Sequence, residues 1–173
     1  MSRTMWLVLG LILGLVVIAP LGMYLFAKLG GIAMATTAQP LPLEKTIAKT
    51  ALRASIGDAS KQQNPVPEDE TNLLAGAASY RRTCAVCHGV PNQPETAIAK
   101  GEFPEPPQLF EPKQMVADDP QGTTYWKISH GIRLSGMPGF ANTLSDTERW
   151  QVTLLLAHAD KLSDKVKAAL AER

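Results

Sequence analysis

The run Cys84-Ala85-Val86-Cys87-His88 constrains this 173-residue chain more than any other stretch. C-x-x-C-H is the attachment signature of c-type haem. Two thiols at this spacing on a turning backbone can form thioethers with the two vinyl groups on one edge of a porphyrin, and the next imidazole can then reach the iron. The motif therefore predicts a polypeptide that folds around one covalently attached haem c, held by Cys84, Cys87 and His88.

Three other uses of a C-x-x-C pair fit the sequence less well. A zinc site needs a second Cys or His pair, and Cys84 and Cys87 are the only two cysteines. A thioredoxin-type redox pair follows a buried strand, and no strand pattern precedes Cys84. A disulfide across two intervening residues closes almost no loop, so it would stabilise little.

The charge balance excludes one class of partner. The chain has 45% hydrophobic residues and a net charge of +1, so it lacks the basic footprint of a nucleic-acid-binding protein. Residues 71–173 are formally neutral, with eleven Lys and Arg against eleven Asp and Glu. Overall charge therefore does not select a protein partner.

The N-terminal segment predicts a membrane helix. Residues 5–26 contain no charged side chain, and at helical rise they span about 33 Å, enough to cross a hydrocarbon core of about 30 Å. We expect a single transmembrane anchor over residues 1–28. A cleaved signal peptide is the alternative, because Ala33-Met34-Ala35 resembles a cleavage site, but the length favours the anchor. Gly10 and Gly14 form either a close-packing face for another transmembrane helix or the ordinary glycine content of such helices.

Residues 29–70 predict a linker. The first part is small and polar with two prolines, which suits an extended tether. Residues 43–56 carry apolar side chains at helical spacing, so we expect a short helix there. This segment either lies on a partner or on the membrane surface, or it is a solvated, partly ordered spacer. The polar, proline-containing run 61–70 marks the boundary before the main domain.

The main domain predicts a first helix over about residues 71–84, with Gly76 on its apolar face. A glycine inside a helix costs about 1 kcal/mol relative to alanine, so Gly76 indicates a close packing contact. Ser145 and Glu148 form a capping box that starts a C-terminal helix. We expect either the Trp150 ring of that helix to rest on Gly76 or ordinary core packing without a special pairing.

Other segments of the domain are less strongly patterned. The proline-rich stretch 89–112 predicts a loop, and Asp119-Pro120 opens a helix that runs to about residue 131. His158 lies opposite the apolar stripe of the C-terminal helix, so we expect it at the surface. Residues 163–172 predict a final amphipathic helix, which either docks to a partner or extends the fold.

The motifs and their order resemble the class I c-type cytochromes over roughly residues 71–160. The resemblance implies an all-α cytochrome c fold, with about four to five helices around one haem, preceded by the transmembrane helix. It places the haem domain at 71–162 and a C-terminal helical extension at 163–173. The matching features are Gly76, Tyr80, the CAVCHG run, Pro107-Gln108-Leu109, the GMPGF run from Gly136 to Phe140, and Trp150.

The same resemblance implies a methionine as the sixth iron ligand, and Met137 fits this position. Pro138 favours an extended conformation for the residue before it, which suits a loop that presents a thioether. Met115 is the rival, but no rigid loop frames it. His130 is another alternative, although its charge also suits the C-terminal end of a helix. The expected iron ligands are therefore His88 and Met137.

The resemblance also implies side chains around the ligands. The Pro107 carbonyl is expected to accept the Nδ1 hydrogen bond of His88, with the adjacent Pro106 as the alternative. Trp126 and Arg133 are candidate donors to a haem propionate, and a solvated Arg133 is an equally good interpretation.

No residue set for substrate chemistry is visible, so the sequence predicts an electron carrier rather than an enzyme, with no small-molecule substrate. His/Met ligation suits one-electron transfer at high potential. Expected partners are the membrane and other membrane electron-transfer proteins, as a subunit of a respiratory or photosynthetic complex. A free tethered shuttle is one alternative, and a haem-based sensor is another. The resemblance implies a single-pass protein of the bacterial cytoplasmic membrane, with the haem domain on the periplasmic side.

Overall fold

The computed structural model describes residues 2–114 and 116–172, and the regular structure in these ranges is helical, without strands. This confirms the all-α class. Contacts divide the chain into two compact units, with the division after Glu44.

The first unit contains the apolar N-terminal helix. Its parts are α1 (Arg3–Leu13), a π-helical turn (Gly14–Ile18) and α2 (Ala19–Lys28). Together they form a 26-residue helix that is long and apolar enough to cross a membrane. The π turn precedes Pro20, which lacks an N–H and whose ring would clash with the carbonyl four residues back; a wider turn relieves that clash. No described side chain approaches the Cβ positions of Gly10 and Gly14 within 4 Å.

The remaining helices follow one another between Glu44 and Ala171. The α3 helix agrees with the one predicted over 43–56. The bounds are α3 (Glu44–Ile56), a 3-10 turn (Gly57–Lys61), α4 (Glu70–Thr83), α5 (Ala85–His88), α6 (Ala97–Gly101), 3-10 turns at Pro112–Gln114 and Val116–Asp118, α7 (Gln121–His130), α8 (Asp146–Ala157) and α9 (Asp164–Ala171).

The core forms where α4 crosses α8. A Cβ added to Gly76 would collide with the backbone carbonyl of Gln151 and lie 3.3 Å from the Leu155 Cβ, so the predicted close contact is present. Its partner differs from the prediction, because Trp150 stacks on Tyr125 with ring centroids 3.9 Å apart. The buried apolar cluster comprises Ala77, Tyr80, Cys84, Ile128, Val152, Leu155, Leu156, Leu162, Val166 and Leu170.

The α8 helix is buried on every side. The predicted capping box is confirmed: the Ser145 hydroxyl accepts from the Glu148 N–H at 3.2 Å, and the Glu148 carboxylate accepts from the Ser145 N–H at 2.9 Å. Every residue from Val152 to Leu156 is buried. An amphipathic pattern with one exposed face therefore does not describe this helix.

The surface position predicted for His158 is wrong, because this side chain is buried with only 8% exposed. Its Nδ1 lies 2.9 Å from the Leu154 carbonyl oxygen, and its Nε2 lies 2.5 Å from a Glu68 carboxylate oxygen. Glu68, in the segment just before α4, therefore contacts a side chain that the sequence pattern predicts to be exposed.

Part of the predicted linker packs on the domain. A Cβ at Gly122 of α7 would collide with the backbone between Ala59 and Gln62. The Asn64 amide donates to the Gln121 side chain at 2.9 Å and to the Trp150 carbonyl at 3.1 Å. Residues 57–66 therefore form a strap across α7 and α8.

Two short helices complete the domain, the first where the sequence predicts a loop and the second where a helix that extends the fold is one alternative. The α6 helix interrupts the predicted loop 89–112 and starts at Thr96, whose hydroxyl accepts from the Ala99 N–H at 3.1 Å. The α9 helix belongs to the core, because Val166 and Leu170 are buried within it. Arg81 of α4 donates to the Ala169 carbonyl at 2.9 Å and fixes this helix further.

Candidate functional site

The C-x-x-C-H residues lie on one tight turn of backbone at the end of α4. Cys84 caps α4, and α5 follows it directly. The His88 N–H donates to the Cys84 carbonyl at 2.9 Å, which closes a single helical turn. Cys84 is buried, whereas Cys87 and His88 are half-buried. The turn therefore presents two thiols and an imidazole from one rigid segment.

The orientation of His88 is fixed by the proline-rich segment. Its Nδ1 lies 2.8 Å from the Pro107 carbonyl, and since a carbonyl only accepts, Nδ1 carries the proton. The adjacent Pro106 carbonyl instead accepts from Gln108 at 3.3 Å. Burial lowers the pKa of His88, although the bond to Pro107 opposes this. The neutral ring then has its free lone pair on Nε2, the atom required to bind a metal.

The two thiols are held in their protonated form. Burial raises the pKa of Cys84. Burial, with the Glu102 carboxylate as the next cause, raises the pKa of Cys87 to about 11. Reactive redox pairs need lowered thiol pKa values, so this environment is unlike a thioredoxin-type site.

Tyr80 and Gly89 hold the chain just after His88. The buried Tyr80 hydroxyl donates to the Gly89 carbonyl at 2.8 Å, and its ring meets Phe110 edge-on with centroids 5.2 Å apart. Gly89 has a φ of +69°, in the left-handed region that favours glycine. These contacts explain why glycine follows the motif and why a tyrosine lies one helical turn before Cys84.

Hydrogen bonds hold both backbone groups of Met137, its N–H and its carbonyl, within their loop. The Met137 carbonyl accepts from the Ile132 N–H at 3.1 Å, and the Met137 N–H donates to the Ser135 hydroxyl at 3.2 Å. The Phe140 N–H donates to the Ile128 carbonyl at 2.9 Å, so the loop folds back along the end of α7. Gly131, with a φ of +69°, makes this reversal.

Glu102 connects the Met137 loop to the C-x-x-C-H turn. The Cys87 thiol donates to its carboxylate at 3.1 Å, and the same carboxylate lies against Gly136, where a Cβ would collide with it. Sequence reasoning did not single out Glu102, because it belongs to no motif. Gln108 had a signal in its Pro-Gln-Leu run; it donates to the Cys87 carbonyl at 3.0 Å.

Other predicted residues lie nearby with fewer contacts. Trp126 stacks on His130 with centroids 4.8 Å apart, and the Nδ1 of His130 lies 3.0 Å from the Trp126 carbonyl. His130 is the last residue of α7, as the helix-end interpretation expects. Arg133 is exposed and makes no ion pair in the described part of the chain. Met115 lies outside the described residues.

These residues have the donor chemistry that a haem c requires. One turn supplies two thiols and an imidazole with a free Nε2, and the pinned loop supplies a thioether from a half-buried methionine. Within residues 2–114 and 116–172, no three His, Cys, Asp or Glu side chains converge on one point. The set therefore suits an iron held in a porphyrin better than an ion bound by side chains alone.

Comparison with known families agrees with this chemistry. Residues 71–155, just under half of the chain, match the family described as "Cytochrome C oxidase, cbb3-type, subunit III". A search of curated proteins and a search of solved structures each gave no match. The matched region begins in α4 and ends in α8, so it contains both the C-x-x-C-H turn and the Met137 loop.

Proposed function

We propose that the chain holds one covalent haem between His88 and Met137 and transfers single electrons within a membrane complex, because residues 71–155 match a family of cytochrome subunits and an apolar helix long enough to span a membrane precedes them. When bound, the haem supplies an iron that changes oxidation state by one electron. Cys84 and Cys87 would carry the thioether bonds.

The observation that carries this proposal is the pinned Met137 loop. Backbone hydrogen bonds from both the N–H and the carbonyl of Met137 fix its position. Such a loop would hold the Met137 thioether as a lasting second protein ligand of the haem iron, so that oxygen or peroxide would not bind there. Electron transfer is then the chemistry that this chain supports, with His88 oriented by Pro107.

Absorption spectra of the full-length protein test the ligand assignment. Met137→Ala should abolish the long-wavelength band of Met-ligated ferric haem and allow tight carbon monoxide binding to the reduced protein. Met115→Ala is the matched control and should leave both properties unchanged. Loss of the band in Met115→Ala instead would refute the assignment, and a wild-type mass without covalently bound porphyrin would refute the proposal as a whole.

The role within a complex is tested by extraction from native membranes. The family match is to a subunit of an oxidase, which supports the subunit role over a free shuttle. A subunit should co-purify with other membrane proteins at fixed stoichiometry in mild detergent, whereas a shuttle should purify alone. We further propose a bacterial cytoplasmic membrane location, with the haem domain on the periplasmic side. Protease added outside intact spheroplasts should then release this domain.

A further inference from the structure

A cavity lies where α3 and the following 3-10 turn meet α7, and none of the proposed haem ligands lines it. Its volume is about 590 Å³, and three cationic side chains line it: Lys49, Arg53 and Lys127. One carboxylate, Asp119, lines it as well and pairs with Lys127 at 3.2 Å. The lining therefore carries an excess of two positive charges.

Two of these cations make no ion pair. Lys49 and Arg53 are exposed, and neither approaches a carboxylate within 4.0 Å in the described part of the chain. They are one helical turn apart on α3, and Lys45 continues the same stripe toward the start of the helix. Side chains four residues apart lie on one face of a helix, so their charges add at the cavity.

The remaining lining suits a ligand with both polar and apolar parts. The Ser60 and Thr123 hydroxyls line the cavity beside the cations, and Leu52 and Ile56 form an apolar floor. The cavity is much larger than a phosphate ion, so it has room for an organic group attached to one. Arginine presents a planar fork of donors that matches two phosphate oxygens at once.

One side of the cavity is held in place. Gly122 packs directly on the backbone from Ala59 to Gln62, and Asn64 bonds to Gln121 from the strap. A wall that is already ordered loses little conformational entropy when a ligand binds. We propose that this cavity binds a phosphate-bearing anion, either a phospholipid headgroup or a free phosphate.

Calorimetric titration of the full-length, haem-loaded protein in uncharged detergent tests this site. The probes are inorganic phosphate, dihexanoyl phosphatidylglycerol and, as a zwitterionic control, dihexanoyl phosphatidylcholine. The double variant Lys49→Gln/Arg53→Gln should bind the anionic probe at least about tenfold more weakly, because it removes both unpaired cations. Thermal unfolding and the haem absorption spectrum should not change, since both side chains are exposed.

Lys100→Gln/Lys113→Gln is the matched control, because it removes two exposed lysines elsewhere in the domain. It should change the affinity less than twofold. Tighter binding of phosphatidylglycerol identifies a lipid headgroup as the source of the phosphate, and tighter binding of inorganic phosphate identifies a free anion. The proposal is overturned if neither anionic probe saturates, if phosphatidylcholine binds as tightly as phosphatidylglycerol, or if both double variants lose affinity equally.

Discussion

The membrane-length helix Arg3–Lys28 and the C-terminal half of α8 both carry runs of apolar side chains, yet their surroundings differ. No side chain of the first is buried by the protein, whereas five consecutive residues of α8 are buried. The first helix satisfies its backbone hydrogen bonds internally and leaves its side chains for a lipid environment. The second depends on neighbouring helices for every face. Substitutions of the same kind should therefore have unequal effects in the two helices.

The largest difference is expected for buried leucines. Leu155→Ala should lower the free energy of unfolding of the haem domain by about 2–5 kcal/mol, because it leaves a cavity at the centre of the core. Leu11→Ala, in the exposed N-terminal helix, should leave that free energy unchanged. Denaturant titration of the full-length protein in detergent, followed by circular dichroism, measures both. Equal effects would show that the two helices do not differ in this way.

Glycine substitutions in the domain and in the N-terminal helix should also differ in their effect on domain stability, by a smaller amount and in the same direction. Gly76→Ala should destabilise the domain by about 1–3 kcal/mol, because the new methyl group meets the Gln151 backbone, which cannot turn aside as a side chain would. Gly22→Ala has open space around its Cβ and is the control. The denaturant midpoints of unfolding distinguish the two variants. A more stable Gly76→Ala variant would mean that helix propensity outweighs the collision.

Helix caps sharpen the comparison further. Ser145→Ala removes the capping box of α8 and should cost about 1 kcal/mol of domain stability. Ser2 also caps a helix, with its hydroxyl 3.3 Å from the Met5 N–H, but Ser2→Ala should not alter unfolding of the domain. The same denaturant titration measures both variants, and an unchanged midpoint for Ser145→Ala would contradict the stabilising role of the box.

The smallest effect concerns pH, at the end of α8. A hydrogen bond and the charge of His158 lower the pKa of Glu68 below its ordinary value. The charged form is favoured in the folded state, so this contribution is complete above the unfolded pKa and is lost as the pH falls through the folded value. The thermal midpoint should therefore fall as the solution is acidified below about pH 4.5.

Glu68→Gln isolates that contribution. This variant should show a shallower acid dependence of the midpoint than the wild type, and Glu111→Gln, an exposed carboxylate without an ion pair in the described residues, should not. Identical profiles for wild type and Glu68→Gln would show that the contact with His158 does not stabilise the domain.

Local chemistry explains which features the sequence could predict. The capping box at Ser145, the start of α4 and the glycine after His88 depend on residues close together in the chain, so their signals are visible in the sequence. The C-x-x-C-H spacing is equally local, because one helical turn presents all three side chains. The Pro107 contact with His88 came from family resemblance, and the structure shows the bond.

Features that depend on distant segments could not be predicted in this way. The contact of His158 with Glu68 depends on the segment just before α4, and the Trp150 contact requires Tyr125 from α7. Glu102 lies beside Cys87 and Gly136 only because two loops converge. None of these pairings has a fixed sequence spacing, since loops of different lengths could bring the same residues together.

The sequence by itself determined the apolar N-terminal span and the C-x-x-C-H side chains suited to a haem, because each depends on periodicity or on the spacing of a few neighbours, and its resemblance to a family supplied the helical class. The tertiary structure alone decided which helix faces are covered, how the Met137 loop meets the C-x-x-C-H turn, and that a cationic cavity forms beside α7. Those outcomes arise from close packing between segments far apart in the chain, which fixes positions that local backbone preferences leave open.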